Sequence, residues 1–200
     1  MLLIKSLQTP HIGPIDLTVG SGECAAIMGA SGSGKSLMLR AIADLDLNSG
    51  HVALDGQNRD QMEATAWRKL VTYVPAESGW WYNRVGQHFS DCSESHSLLS
   101  DIGLPDAFDW EVSRLSTGQR QRLALCRSLL MKPSVLLLDE PTAALDQSAT
   151  EDVENLLRKQ ISSGVRVVLV THDQSQAERL GTQSFEMLDG RLRQREDEVV

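Results

Sequence analysis

The sequence predicts an α/β protein, with a mainly parallel sheet covered by helices on both faces and a short helical lobe inserted into it. Three observations carry this prediction. The runs PSVLLLDE (133–140) and VRVVLVTH (165–172) are apolar at nearly consecutive positions, as in strands buried on both faces. Segments with helical apolar spacing lie between the strands, which implies parallel strands joined by helical crossovers. From Gly79 to Val112 the pattern weakens and turns polar, with DCSESHS at 91–97. One domain is expected over residues 1–200, with its core at 1–76 and 117–200 and the lobe at about 77–116.

The elements follow in order. IDLTVGSGECAAIMG (Ile15 to Gly29) reads as a strand, a Ser-Gly turn and a second, more apolar strand. SLMLRAIADL reads as a helix, with Leu37, Ala41, Ile42 and Leu45 at helical spacing. NSG at 48–50 is a turn before the strand HVALDG, and WRKLVTYV leads into another short strand. Beyond the lobe, LSTGQRQRLALCRSLL is a helix with a core stripe of Leu123, Cys126 and Leu130. Its start has Ser116 and Gln119 at capping-box spacing. SATEDVENLLRKQ is the helix between the two buried strands.

Two hundred residues are enough to bury a sizeable core. The net charge of −8 argues against a nucleic-acid binder, which needs a basic surface. Cys24, Cys92 and Cys126 are odd in number and fit no metal-ligand spacing, so reduced cytosolic thiols are expected. The start MLLIKSLQTP breaks its apolar run at Lys5 and lacks the core of a signal peptide. No stretch reaches the roughly 18 apolar residues of a membrane span. The expectation is a cytoplasmic chain, held at a membrane only by partner subunits.

Gly29-Ala30-Ser31-Gly32-Ser33-Gly34-Lys35-Ser36 matches the phosphate-loop pattern GxxxxGK[ST] in the required setting, after a strand and before a helix. The glycines let the backbone wrap a phosphate chain with its N–H groups inward, and the helix N-terminus favours the anion. Lys35 would reach the terminal phosphates, and the Ser36 hydroxyl would be a ligand of Mg²⁺. The run VLLLDE then delivers Asp139 and Glu140 at the carboxyl end of a buried strand, the edge where ligands collect in open α/β sheets. Asp139 is suited to orient Mg²⁺, and Glu140 to act as the base for the attacking water.

The whole arrangement resembles the nucleotide-binding subunit of ATP-binding-cassette (ABC) transporters. LSTGQ at 115–119 resembles the family's LSGGQ signature, with Thr117 in place of its first glycine. PTAALD at 141–146 looks like the D-loop that follows, and THD at 171–173 resembles the segment carrying the switch histidine, here His172. LNSGHVALDG and MLDGRL are also similar to family sequence, so the resemblance spans essentially the whole chain. It implies a phosphate-loop ATPase that uses ATP and Mg²⁺ and works as a head-to-tail pair. Each ATP would lie between the phosphate loop of one copy and the signature residues Ser116, Thr117, Gly118 and Gln119 of the other. His172 would contact the γ-phosphate, and Asp146 would reach towards the partner's site. The implied function is to energise transport through separate membrane-spanning permease subunits. A soluble ABC-type ATPase serving another process is the alternative.

Three departures from the family pattern carry expectations of their own. Where the family places a glutamine that touches Mg²⁺ and water, this chain has Ala76, followed by Glu77. Either Glu77 replaces the lost ligand or water completes the shell, and water is the preferred reading. SLQTPHIGPI offers only His11 where the family stacks adenine on an aromatic, so His11 stacks instead or adenine affinity is weakened. Trp80, Trp81 and Tyr82 stand side by side where the family's docking groove begins, in a chain of only 4% aromatic residues. They form either a contact for a permease helix or replacement core for the short lobe.

Overall fold

In the computed structural model, which describes residues 1–195, strands and helices alternate as the apolar pattern requires. Residues 196–200 of the expected domain lie outside the described residues. In chain order the strands are β1 (Leu2–Gln8), β2 (Ile15–Val19), β3 (Cys24–Met28), β4 (Ser49–Leu54), β5 (Gln57–Asn58), β6 (Val71–Val74), β7 (Val135–Asp139), β8 (Arg166–Val170), β9 (Gln183–Leu188) and β10 (Arg191–Gln194). The α-helices are α1 (Lys35–Ile42), α2 (Ala64–Leu70), α3 (Ser93–Asp101), α4 (Thr117–Leu129), α5 (Gln147–Ser162) and α6 (Gln174–Leu180).

The main sheet has the order β10-β9-β3-β8-β7-β6. Its pairings are parallel throughout except for β10 against β9. Because side chains alternate across a strand, this sheet divides two cores. Val135 and Leu137 of β7 face Met38, Leu39 and Ile42 of α1. Leu136 and Leu138 face the other way, among Leu123 and Cys126 of α4 and Val153 and Leu157 of α5. Both faces are therefore covered, as the unbroken apolar runs demand.

The structure also contains an antiparallel sheet, β2-β1-β4-β5, which the sequence reading did not separate from the main one. Its inward residues, among them Leu2, Ile4, Leu17 and Val52, complete the core on the α1 side. The strand β4 starts at Ser49, so the expected turn at 48–50 runs partly inside it.

Two helix stripes are corrected. α1 buries Met38, Leu39, Ala41 and Ile42, whereas Leu45 is 40% exposed. The cause is an early stop. Asp44 takes a left-handed conformation (φ 57°), and Leu45 N–H bonds the Arg40 carbonyl at 2.9 Å. With Asp44 N–H on the Ala41 carbonyl at 3.2 Å, this is a Schellman closure that ends the helix before Leu45. In α4, Leu123, Cys126 and Leu129 are buried, while Leu130 is the half-buried C-cap residue.

The inserted segment holds one α-helix, α3, and three single 3₁₀ turns, at Val85–His88, Ala107–Asp109 and Val112–Arg114. It has no core of its own. Leu99, Ile102, Leu104 and Ala107 join the cluster beneath α4 and α5. The polar run at 91–97 is the start of α3, whose buried residues are only Ser95 and Leu99. The cysteines are free thiols. Burial pushes Cys24 up to about 12 and raises Cys126 as well, while a hydrogen bond with Ser95 lowers the exposed Cys92.

Candidate active site

The strand β3 runs straight into the loop 29–34, and α1 begins at Lys35. Gly34 (φ 106°) is the N-cap of α1 and has no side chain to cap the free N–H groups of the helix start. No other residue would fit, since a Cβ on Gly34 would lie 2.4 Å from Cγ2 of Ile12. The first turn carries no acidic residue, so the helix end is open to an anion. Lys35 is 8% exposed and curls over the loop, its Nζ donating to the carbonyls of Gly29 (2.7 Å) and Ala30 (2.9 Å). Ala30, Ser31, Gly32 and Ser36 are exposed around it. Among the described residues the buried Ser33 hydroxyl has no hydrogen-bond partner, an orphan group of the kind a bound phosphate would satisfy.

Asp139 ends β7 and is 6% exposed. Its Oδ2 accepts a hydrogen bond from the Tyr73 hydroxyl at 3.0 Å. Burial first, and the Asp139 charge next, push the Tyr73 phenol up, so the hydroxyl keeps its proton. The donors suited to a metal are the Ser36 hydroxyl and the Asp139 carboxylate, both hard oxygens. Among the described residues no group of three His, Cys, Asp or Glu could form an all-protein cage. That fits Mg²⁺, which is held by one or two protein oxygens, phosphates and its own waters.

Glu140 has a left-handed backbone (φ 48°), unusual for a residue with a Cβ and held here from both sides. Its N–H bonds the Val170 carbonyl of β8 at 2.9 Å, and its carbonyl accepts from Nε2 of Gln121 in α4. The clamp turns the carboxylate towards His172, whose Nδ1 lies 3.3 Å from Oε2. Glu140, His172, Thr142 and Asp173 line a cleft of about 200 Å³. Sequence reasoning identified both members of the pair but did not bring them together.

The remaining expected site residues are placed as follows. Ser116 and Gln119 form the predicted capping box at the start of α4, with bonds of 3.2 and 3.0 Å. Ser116 and Thr117 are exposed. Gly118 is turned inward, where a Cβ would meet the Ala144 carbonyl at 2.7 Å. Its lack of a side chain therefore lets α4 approach the 141–146 loop of its own chain. Asp146 caps α5, its Oδ1 accepting from Ala149 N–H at 2.9 Å, which is a local role that the family resemblance did not suggest. Ala76 and Glu77 are exposed, and among the described residues Glu77 makes no side-chain hydrogen bond or ion pair. His11 is exposed next to Ile12, the residue that packs on Gly34.

A second set of residues escaped sequence reasoning. Glu154 of α5 is 2% exposed and takes a two-point contact from Arg179 of α6 (2.9 and 2.7 Å). Gln176 of α6 donates to Thr142 at 2.9 Å and lies 3.3 Å from Glu154. The helix after His172, the 141–146 loop and α5 are thus tied together. Neighbours in sequence give no sign of it, because the partners come from three separate elements.

The aromatic run divides. Trp80 is half-buried against the core below α4 and α5, whereas Trp81 is 65% and Tyr82 50% exposed. His88 stands edge-on to both tryptophans, and its Nε2 accepts the backbone N–H groups of Trp81 and Tyr82, each at 3.1 Å. The Arg127 guanidinium lies over both indoles, 4.8 Å from Trp80 and 4.6 Å from Trp81. Trp80, Trp81 and Tyr82 border an open cleft of about 350 Å³.

A phosphate loop between strand and helix, with carboxylates at a strand end on the same edge of a parallel sheet, defines a phosphate-loop nucleotide hydrolase. The chain belongs to the ABC transporter family, whose model matches residues 12–143, and it is an ATPase of that family. It is 37% identical over 198 residues to the aliphatic sulfonates import ATP-binding protein of Corynebacterium glutamicum, covering 95% of this chain and 79% of that one. It is 34% identical over 210 residues to a lipoprotein-releasing system ATP-binding protein of Anaeromyxobacter dehalogenans, covering 92% and 85%. Among solved structures it is similar to a dimeric ATP-binding cassette in a post-hydrolysis state bound to ADP and Pi. That match has a TM-score of 0.83 and 25% identity and covers 98% of each chain. Among the described residues no helix is long and apolar enough to cross a membrane.

Proposed function

We propose that this chain binds ATP with Mg²⁺, pairs head to tail with a second copy around two ATP molecules, and hydrolyses them to drive transport through separate permease subunits. The observation that carries the reading is the Glu140–His172 pair, 3.3 Å apart and clamped at the end of β7. Lys35 and the loop N–H groups of residues 29–34 hold the β- and γ-phosphates, with the Ser33 hydroxyl gaining its missing partner there. Ser36 and Asp139 hold Mg²⁺, which neutralises charge on the phosphates when bound. With Ala76 and Glu77 both exposed, water rather than Glu77 fills the remaining metal positions. Glu140 takes the proton of the attacking water. His172, with Nδ1 towards Glu140, presents Nε2 to the γ-phosphate.

Ser116 and Thr117 at the start of α4 complete the partner copy's site, as an exposed helix end suits an anion. Loss of the γ-phosphate removes those contacts and lets the pair open. The chain sits at the cytoplasmic face of a membrane through the permease, with Trp81 and Tyr82 forming part of the contact. Sulfonates and lipoproteins name the systems of two relatives, and import and export systems both occur among the relatives, so no cargo is assigned.

Glu140→Gln tests the reading. ATP hydrolysis should fall roughly 10²- to 10⁴-fold with ATP binding retained, and the variant should elute as an ATP-dependent dimer on size exclusion. Hydrolysis at the wild-type rate would show that Glu140 is not the base.

A further inference from the structure

Position 76 carries no polar side chain and Glu77 is exposed, whereas the strand before them makes a polar contact with the candidate metal site. The sheet register sets up this contact. Tyr73 pairs with Leu137 across β6 and β7, and both pack on the core face that carries α1. Asp139 lies two residues beyond Leu137 and so projects to that same face. The ring of Tyr73 thus runs along the sheet beneath the end of β7, and its hydroxyl meets Asp139 Oδ2 at 3.0 Å. Tyr73 is the only side-chain donor to that carboxylate among the described residues, and the carboxylate is 6% exposed.

We infer that Tyr73 is a positioning residue for Asp139: its hydroxyl bonds Oδ2, while Oδ1 has no side-chain donor among the described residues. This rests on the assignment of Asp139 to Mg²⁺ above. Partners that hydrogen-bond a metal-binding carboxylate fix its orientation, and losing one weakens metal affinity without touching the ligand itself. Phenylalanine would fill the same space in the core, so the hydroxyl is the part of Tyr73 that packing does not explain. Tyr73 lies within β6, three residues before Ala76 in the loop that follows the strand. The strand therefore supplies a polar contact to the metal site from its body, in a chain whose following loop has none at position 76.

The test is Tyr73→Phe, which keeps the ring and removes the donor. Binding of a fluorescent, non-hydrolysable ATP analogue is followed while Mg²⁺ is titrated, and again in EDTA. The Mg²⁺ concentration at the midpoint should rise roughly tenfold, while metal-free binding stays at the wild-type level. An unchanged midpoint overturns the inference, and so does an equal loss of metal-free binding, which would mean general damage to the site. Asp139→Asn, measured in parallel, separates the two levels of the argument. If it moves the midpoint and Tyr73→Phe does not, only the inference about Tyr73 falls. If Asp139→Asn leaves the midpoint in place, the Mg²⁺ assignment fails and the inference fails with it.

Discussion

The phosphate loop and the aromatic loop are both short and irregular and both lead off a buried strand, yet they differ in where the anchoring side chain comes from. The phosphate loop is anchored by a side chain of its own motif, Lys35. Lys35 reaches back five and six residues to the carbonyls of Ala30 and Gly29, while Ile12 packs on Gly34 and the Gly190 N–H bonds the Ser33 carbonyl at 3.2 Å from other parts of the chain. The aromatic loop is held by a distant element. Arg127 of α4 donates to the Gly79 carbonyl at 3.2 Å from 48 residues away and lies over both indoles. His88 gives it a nearer anchor. A loop whose anchoring side chain lies in its own motif can be read from a short stretch of sequence, whereas one anchored by a side chain of α4 cannot.

The sharpest way to break this contrast is Lys35→Ala. It should lower affinity for a fluorescent ATP analogue by at least roughly a hundredfold, because it removes charge-assisted bonds to the terminal phosphates. The aromatic loop should not respond, as tryptophan fluorescence would report. Retained ATP affinity would mean that the loop N–H groups suffice and that the lysine serves only to bond Gly29 and Ala30.

The same contrast explains what the sequence made legible. Lys35, Asp139, Glu140 and His172 could be read because each follows or ends a strand whose apolar run is unmistakable. The Schellman closure at Asp44 was missed because aspartate, unlike glycine, is no usual sign of a left-handed residue. The antiparallel sheet is not legible in the sequence because β1 pairs with β2 on one side and the distant β4 on the other, and no local pattern links these three strands. Gln121, Tyr73 and the Glu154–Arg179–Gln176 set act through partners from other elements, and single-sequence periodicity carries no such pairing. The division of the aromatic run was half legible: adjacent residues on an irregular segment do not all face inward, but which one does depends on where α4 lies.

A smaller effect comes from pH. Burial lowers the His88 pKa below its ordinary value, Arg127 adds to the shift, and a hydrogen bond to the Arg84 carbonyl opposes it. Protonated, His88 could no longer accept the N–H groups of Trp81 and Tyr82. The unfolded chain takes up this proton at about pH 6.5 and the folded one only below that. The contribution of His88 is therefore complete above about pH 6.5 and is lost as pH falls through its folded pKa. Urea midpoints measured between pH 7.5 and 5 should fall more steeply in the wild type than in His88→Gln. Parallel slopes would assign the loss to the other histidines.

The claim that chemistry sits on the phosphate half while docking sits on the exposed aromatics is tested most directly by Trp81→Ala/Tyr82→Ala. Thermal melting, soluble ATPase activity and co-sedimentation with permease-containing membranes are measured on one preparation, with Trp80→Ala beside it. Trp80→Ala should lower thermal stability by about 1–3 kcal/mol, less than the roughly 3–5 kcal/mol of a fully buried core site because Trp80 is only half-buried. The double variant should melt and hydrolyse ATP like the wild type but lose membrane association by about 2 kcal/mol or more, the scale of a hot-spot contact. A double variant that melts far below wild type and still co-sediments would put Trp81 and Tyr82 in the core and contradict the account.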